Sequence, residues 1–146
     1  MNMIYGIYGL EGLLLFGASI EDVRKREVRI ISILAMGAVA SCGCLTRINQ
    51  NWYGTLGGLF IGICMIGISL ISQEQIGKGD GMVIAALGML CGVRNTLGMV
   101  CFASLFMLLP AFVVMVKKKG SKKTRLPFLP ALFLGYILVC LLGGVA

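Results

Sequence analysis

The sequence predicts an all-α, polytopic membrane protein: a six-transmembrane-helix bundle with a short fourth helix, forming a single domain over residues 1–146. Two observations carry this expectation. Of the 146 residues, 58% are hydrophobic, and the mean hydropathy is +0.96. A soluble domain of this length could not hide that much apolar surface, whereas lipid makes the composition sensible. The apolar residues also fall into six runs separated by short polar stretches, none long enough to form a second domain.

The runs cover about Met3–Glu21, Val28–Thr46, Trp52–Ile71, Gly81–Val93, Leu97–Val116 and Phe128–Val145. The first Lys or Arg is Arg24, after the first run, whereas a cleavable signal peptide carries its positive charge in front. The first run is therefore expected to stay as a helix. Basic residues alternate between loops: eleven of the 13 fall in the first, third and fifth, which hold Arg24–Arg29, Lys78 and Lys117–Arg125. The positive-inside bias then places those loops in the cytoplasm and both termini outside. The net charge of +7 sits in these loops, so it reads as a topology signal and not as a nucleic-acid footprint. The fifth loop is in addition a lipid-facing anchor. The fourth run is short: about 13 residues reach roughly 20 Å against a hydrocarbon core of about 30 Å. Spanning with its first residues below the interface sinks Gly79 and Asp80 into the membrane.

Gly54, Gly58 and Gly62 recur every four residues, as do Gly88 and Gly92. In lipid this spacing lets helices approach closely, either within the chain or across a homo-oligomer. Pro110 is expected to kink the fifth helix, and Pro127 and Pro130 suit the first turn of the sixth. The six cysteines have no metal-type spacing and read as buried, inert thiols. There is no histidine, which removes Ser-His and Cys-His nucleophilic pairs and most catalytic zinc sites. No metal and no cofactor is expected.

The chain has only six acids: Glu11, Glu21, Asp22, Glu27, Glu74 and Asp80. An acid in or at the edge of a bilayer needs a reason. Asp22 ends the first helix and Asp80 opens the fourth, so with six spans both lie at the cytoplasmic face. Asp80 sits in Gly77-Lys78-Gly79-Asp80-Gly81, whose glycines permit close backbone approach and leave room for a substrate backbone. Two aspartates a few ångströms apart share one proton, and such a pair is sufficient to hydrolyse a peptide. Other accounts stand beside this one. Asp80 suits a helix N-terminus as a cap, and Asp22 suits an i+4 partnership with Arg26. Glu11 lies 11 residues before Asp22 and shares its helix face, where a hydrogen bond to a neighbouring helix is expected. Glu11, Asp22 and Asp80 could equally line the path of a proton-coupled transporter or channel. A non-catalytic assembly subunit of a secretion machine is the third reading.

Three local patterns resemble the type IV prepilin peptidases, membrane aspartic proteases of the GxGD kind. Asp22-Val23-Arg24-Lys25-Arg26-Glu27-Val28 is similar to the family's first motif, an Asp followed by basic residues. Gly77-Lys78-Gly79-Asp80 matches GxGD, and Leu126-Pro127-Phe128-Leu129-Pro130-Ala131 resembles the Pro-Phe-x-Pro entry to the last helix. Arg29-Ile30 stands where the family often has Pro-Asn, and Met82 where it often has Lys; these departures leave the subfamily and the substrate contacts open. No CxxC pair accompanies the motifs, so the resemblance is to the short, peptidase-only members without the N-methyltransferase segment. It implies that Asp22 and Asp80 are catalytic. The implied substrate is a prepilin or pilin-like precursor with a basic leader ending in Gly before an apolar helix. It also implies residence in a bacterial or archaeal cytoplasmic membrane. Glu21, Glu27 and Glu74 are the expected contacts for the basic leader.

Overall fold

The computed structural model describes residues 2–25, 28–71, 78–117 and 127–142. The described residues form four helical elements: α1 (Asn2–Lys25), α2 (Ile30–Ile71), α3 (Lys78–Lys117) and α4 (Leu129–Leu141). Inside α3, Gly92 has φ 81 and ψ 168, so α3 is two helices joined across this residue, five helices in all. A positive φ of this size is strained for any residue with a Cβ, which is why the break falls on a glycine.

The all-α class stands, but the six-transmembrane bundle does not. Among the described residues, only Trp52–Ile71 and Gly79–Val113 are long and apolar enough to cross a membrane. The apolar stretches Ile30–Leu45 and Leu129–Leu141 fall short of the ~20 residues a span needs. The expected loop between the second and third runs is helical, because Thr46–Asn51 is polar but contains neither Gly nor Pro to break the helix. The expected short fourth helix is the first half of α3, and Arg94 lies inside α3 instead of on a loop. Pro110 is carried within the helix, and the observed kink is at Gly92.

The two spans show how the chain meets its solvent. Within their most apolar windows only 22% of the first and 17% of the second is buried inside the chain. The core helix of a soluble protein would be largely covered, whereas Phe60, Ile63, Leu105, Leu108 and Leu109 all face outward. These surfaces are those of a membrane protein. The stacked pair Trp52 and Tyr53, with ring centroids 4.0 Å apart, marks the start of the first span. Amphipathic aromatic rings favour such membrane–water boundaries.

Glycine sets the packing. The second part of α2 runs antiparallel to the first half of α3 in steps of about one turn, pairing Gly54 with Gly92, Gly58 with Gly88, Gly62 with Ala85 and Ile66 with Gly81. At Gly58 and Gly88 each backbone fills the space where the other's Cβ would stand. Glycine spacing thus serves internal packing, as one of its two sequence readings has it. A straight helix would hold Gly43 about 22 Å from Gly58. Gly43 meets Leu90 while Gly58 meets Gly88, so α2 bends between them. The far half of α3 packs on α4, where a methyl on Gly135 would lie 2.6 Å from the Met99 carbonyl oxygen. The buried side chains Leu15, Met36, Ile84, Leu87, Leu90, Met99, Leu129 and Leu132 fill the space between the four elements.

Around the break at Gly92, backbone carbonyls bond to side chains. Three of them accept side-chain donors: Leu90 O from Tyr8 Oη (3.1 Å), Cys91 O from Asn95 Nδ2 (3.2 Å) and Gly92 O from Thr96 Oγ1 (2.8 Å). Tyr136 Oη donates in turn to Tyr8 O (2.7 Å), tying α4 to α1. The cysteines depart from expectation. Cys44 and Cys91 are buried, but Cys42, Cys64 and Cys101 are exposed on the apolar surface.

Gly88→Leu should lower the stability of the detergent-solubilised protein by about 3 kcal/mol or more, because backbone cannot move aside as a side chain can. Gly67→Ala, with nothing within 4 Å of its added methyl, should cause no loss. Thermal unfolding of the two variants beside the parent checks this.

Candidate active site

The inner face of α1 repeats at helical spacing through Tyr8, Glu11, Leu15, Ala18 and Asp22, all buried. Asp22 is thereby turned inward at the last full turn of α1 and is only 6% exposed. Its neighbour is the start of α4. The Leu129 backbone N–H donates to Asp22 Oδ2 at 3.2 Å. Leu129 is the first residue of α4, and Phe128 at its N-cap offers no side-chain cap. Pro130 has no N–H to satisfy, so Asp22 answers the donors that precede it, at Leu129 and Phe128. Burial pushes the Asp22 carboxyl up from its ordinary range, and the Leu129 and Phe128 N–H groups pull it partly back.

Asp80 lies in the first turn of α3 and is half-buried. The two carboxylates are near enough for the charge of Asp22 to act on Asp80. Both sit at the positive end of a helix, Asp80 on its own and Asp22 on α4, and both ends favour negative charge. Asp22 thus lies against a helix N-terminus that is not its own, a partner the sequence reading missed. The available signal was the absence of Ser, Thr, Asp or Asn between Leu126 and Ala131, which leaves α4 to find its cap elsewhere.

Of the glycines beside Asp80, Gly81 serves helix packing. A methyl on Gly81 would lie 2.7 Å from Ile66 Cγ1 and 3.0 Å from its backbone nitrogen, so Gly81 is the last step of the α2–α3 ladder. Gly79 faces Val28, where a methyl would lie 3.4 Å from Val28 Cβ. Gly81 therefore positions Asp80 by close packing, whereas a methyl on Gly79 would make only ordinary contact. Lys78 opens α3, while Gly77, Glu27 and Glu74 lie outside the described residues.

Glu21 is engaged at the α1–α2 junction. Arg29 Nε lies 3.4 Å from Glu21 Oε1, and Ser32 Oγ donates to Glu21 Oε2 at 3.1 Å. Glu11 shares the face of Asp22 as its spacing predicts and is fully buried. The expected hydrogen bond to another helix is absent: among the described residues neither carboxyl oxygen has a partner. Among the described residues no three Cys, Asp or Glu side chains stand close enough to share a metal ion.

Asp22→Asn keeps an oxygen for the Leu129 N–H and should stay within about 1 kcal/mol of the parent. Asp22→Ala strands that buried donor and should cost about 1–3 kcal/mol. Chemical or thermal unfolding of the two variants separates the outcomes.

Against known proteins, a family model described as the type IV leader peptidase family matches residues 11–113, a stretch that includes both aspartates. Comparison with curated proteins and with solved structures gives no match.

Proposed function

Because the chain belongs to the type IV leader peptidase family, we propose that it is a membrane aspartic endopeptidase using Asp22 and Asp80 to activate water. Its substrates are type IV prepilins or pilin-like precursors, and it removes their basic leader at the cytoplasmic membrane face. The observation that supports this most is that Asp80, at the edge of the apolar span Gly79–Val113, lies near enough to Asp22 to feel its charge, within the stretch that the family match covers. A bond at the head of a membrane helix is presented at that depth.

The chemistry follows from a pair that shares one proton. The ionised carboxylate takes a proton from water as the water attacks the scissile carbonyl carbon. The protonated partner donates to the carbonyl oxygen; the first carboxyl then passes the proton it took from water to the departing amine, and the second recovers its own as the carbonyl re-forms. The pair titrates as a unit, so the proton belongs to both members. The Leu129 N–H, donating to Oδ2, holds Asp22 in place for the reaction. No cofactor takes part. Glu21, Glu27 and Glu74 are proposed as contacts for the basic leader, Glu21 upon exchanging Arg29 for a leader cation.

Asp22→Asn and Asp80→Asn should each lower the rate of cleavage of a purified precursor in proteoliposomes by at least ~100-fold. Charge reversal at Glu27 or Glu74 should raise KM and leave kcat in place. Cleavage at the parental rate by either Asn variant would remove the dyad from the account. Failure of the parent to cut any precursor with a basic leader ending in Gly would remove the substrate class.

A further inference from the structure

The seam between α1 and α4 is antiparallel and continuous. Asp22 meets Leu129, Phe16 meets Phe133 with ring centroids 5.3 Å apart, and Gly12 meets Tyr136. Alongside this seam lies an open apolar groove of about 480 Å³, lined among others by Tyr5, Gly9, Leu13, Phe16 and Ile137. Phe16 stands six residues from Asp22, about 9 Å along the helix, and Tyr5 stands seventeen residues away, about 25 Å. The groove is therefore in line with the carboxylate and leads away from it along α1.

We propose that this groove receives the apolar helix of the precursor, with the scissile bond laid at Asp22 and the helix running toward Tyr5. The inference rests on the peptidase reading above and adds where the substrate docks. Its support is the alignment of the groove with the seam that Asp22 closes, and the open glycine in its lining, Gly9. A glycine inside a helix costs up to ~1 kcal/mol relative to alanine. In α2 and α3 close packing offsets that cost at Gly58, Gly62, Gly81 and Gly88. In the groove, Gly9 has nothing within 4 Å of an added methyl. Glycine at an open helix face suits the close approach of another helix in lipid, which a flexible acyl chain does not require.

A photo-crosslinking residue at Leu13, which is 70% exposed in the groove, should capture the precursor's apolar helix. The same residue at Phe60, 65% exposed on α2, should not. The pairs are compared in proteoliposomes in the Asp80→Asn background, and parental cleavage of the same precursor is run in parallel. Gly9→Leu, which has space to fold, should raise the precursor concentration for half-maximal cleavage about tenfold, equivalent to ~1.4 kcal/mol, with kcat kept. With the parent active, capture of only lipid or of a second copy at Leu13, or equal capture at both sites, would overturn the docking proposal and leave the peptidase reading intact. An inactive parent would instead count against the peptidase reading, and the docking proposal would fall with it.

Discussion

The arrangement depends on the backbone contact between Gly58 and Gly88. Water does not drive helices together inside a bilayer, since lipid is as apolar as leucine, so association has to come from close packing and buried hydrogen bonds. The ladder from Gly54·Gly92 to Ile66·Gly81 supplies that packing, and its register places the first turn of α3. A slip of one turn would move Asp80 about 5.4 Å along the axis, out of its present relation to Asp22. The glycine that follows the aspartate is the end of this ladder, so the motif that carries the acid also fixes its height.

Asp22 is held by a second constraint. An apolar α4 that begins Phe-Leu-Pro has no polar residue to satisfy its first N–H, and the carboxylate at the end of α1 does so across the bundle. Capping and proposed catalysis therefore draw on one side chain. Each acid rests on a helix N-terminus, which offsets part of the cost of bringing two like charges together at a membrane edge. At the other end of the first half of α3, the break at Gly92 is bridged by Tyr8, Asn95 and Thr96, so the short helix that carries Asp80 is fastened at both ends.

Much of this was legible from residue type and spacing. The glycine repeats foretold close helix packing, and the eleven-residue interval between Glu11 and Asp22 foretold a shared inner face. The motifs around Asp22, Asp80 and Pro127 pointed to the family that residues 11–113 match. The span count was not legible, because a polar stretch such as Thr46–Asn51 looks like a loop in hydropathy but contains nothing that stops a helix. Helix parity therefore no longer supports placing the two acids on one face; the nearness at which the charge of Asp22 reaches Asp80 supports it instead. The partners of Asp22, Glu21 and Gly81 were illegible for a common reason: Leu129, Ser32 and Ile66 are defined only once the helices have packed. Glu11, buried with neither oxygen paired among the described residues, runs against the rule that led to its expected hydrogen bond.

The central claim is that Asp22 and Asp80 act as one unit. A double-mutant cycle on precursor cleavage tests it most directly, comparing the parent, Asp22→Asn, Asp80→Asn and the combined variant under one set of conditions. Residues that share one proton and one water lose their joint contribution when either is removed, so the combined variant should be no slower than the slower single variant. Losses that multiply in the combined variant would mean two independent contributions and would contradict the account.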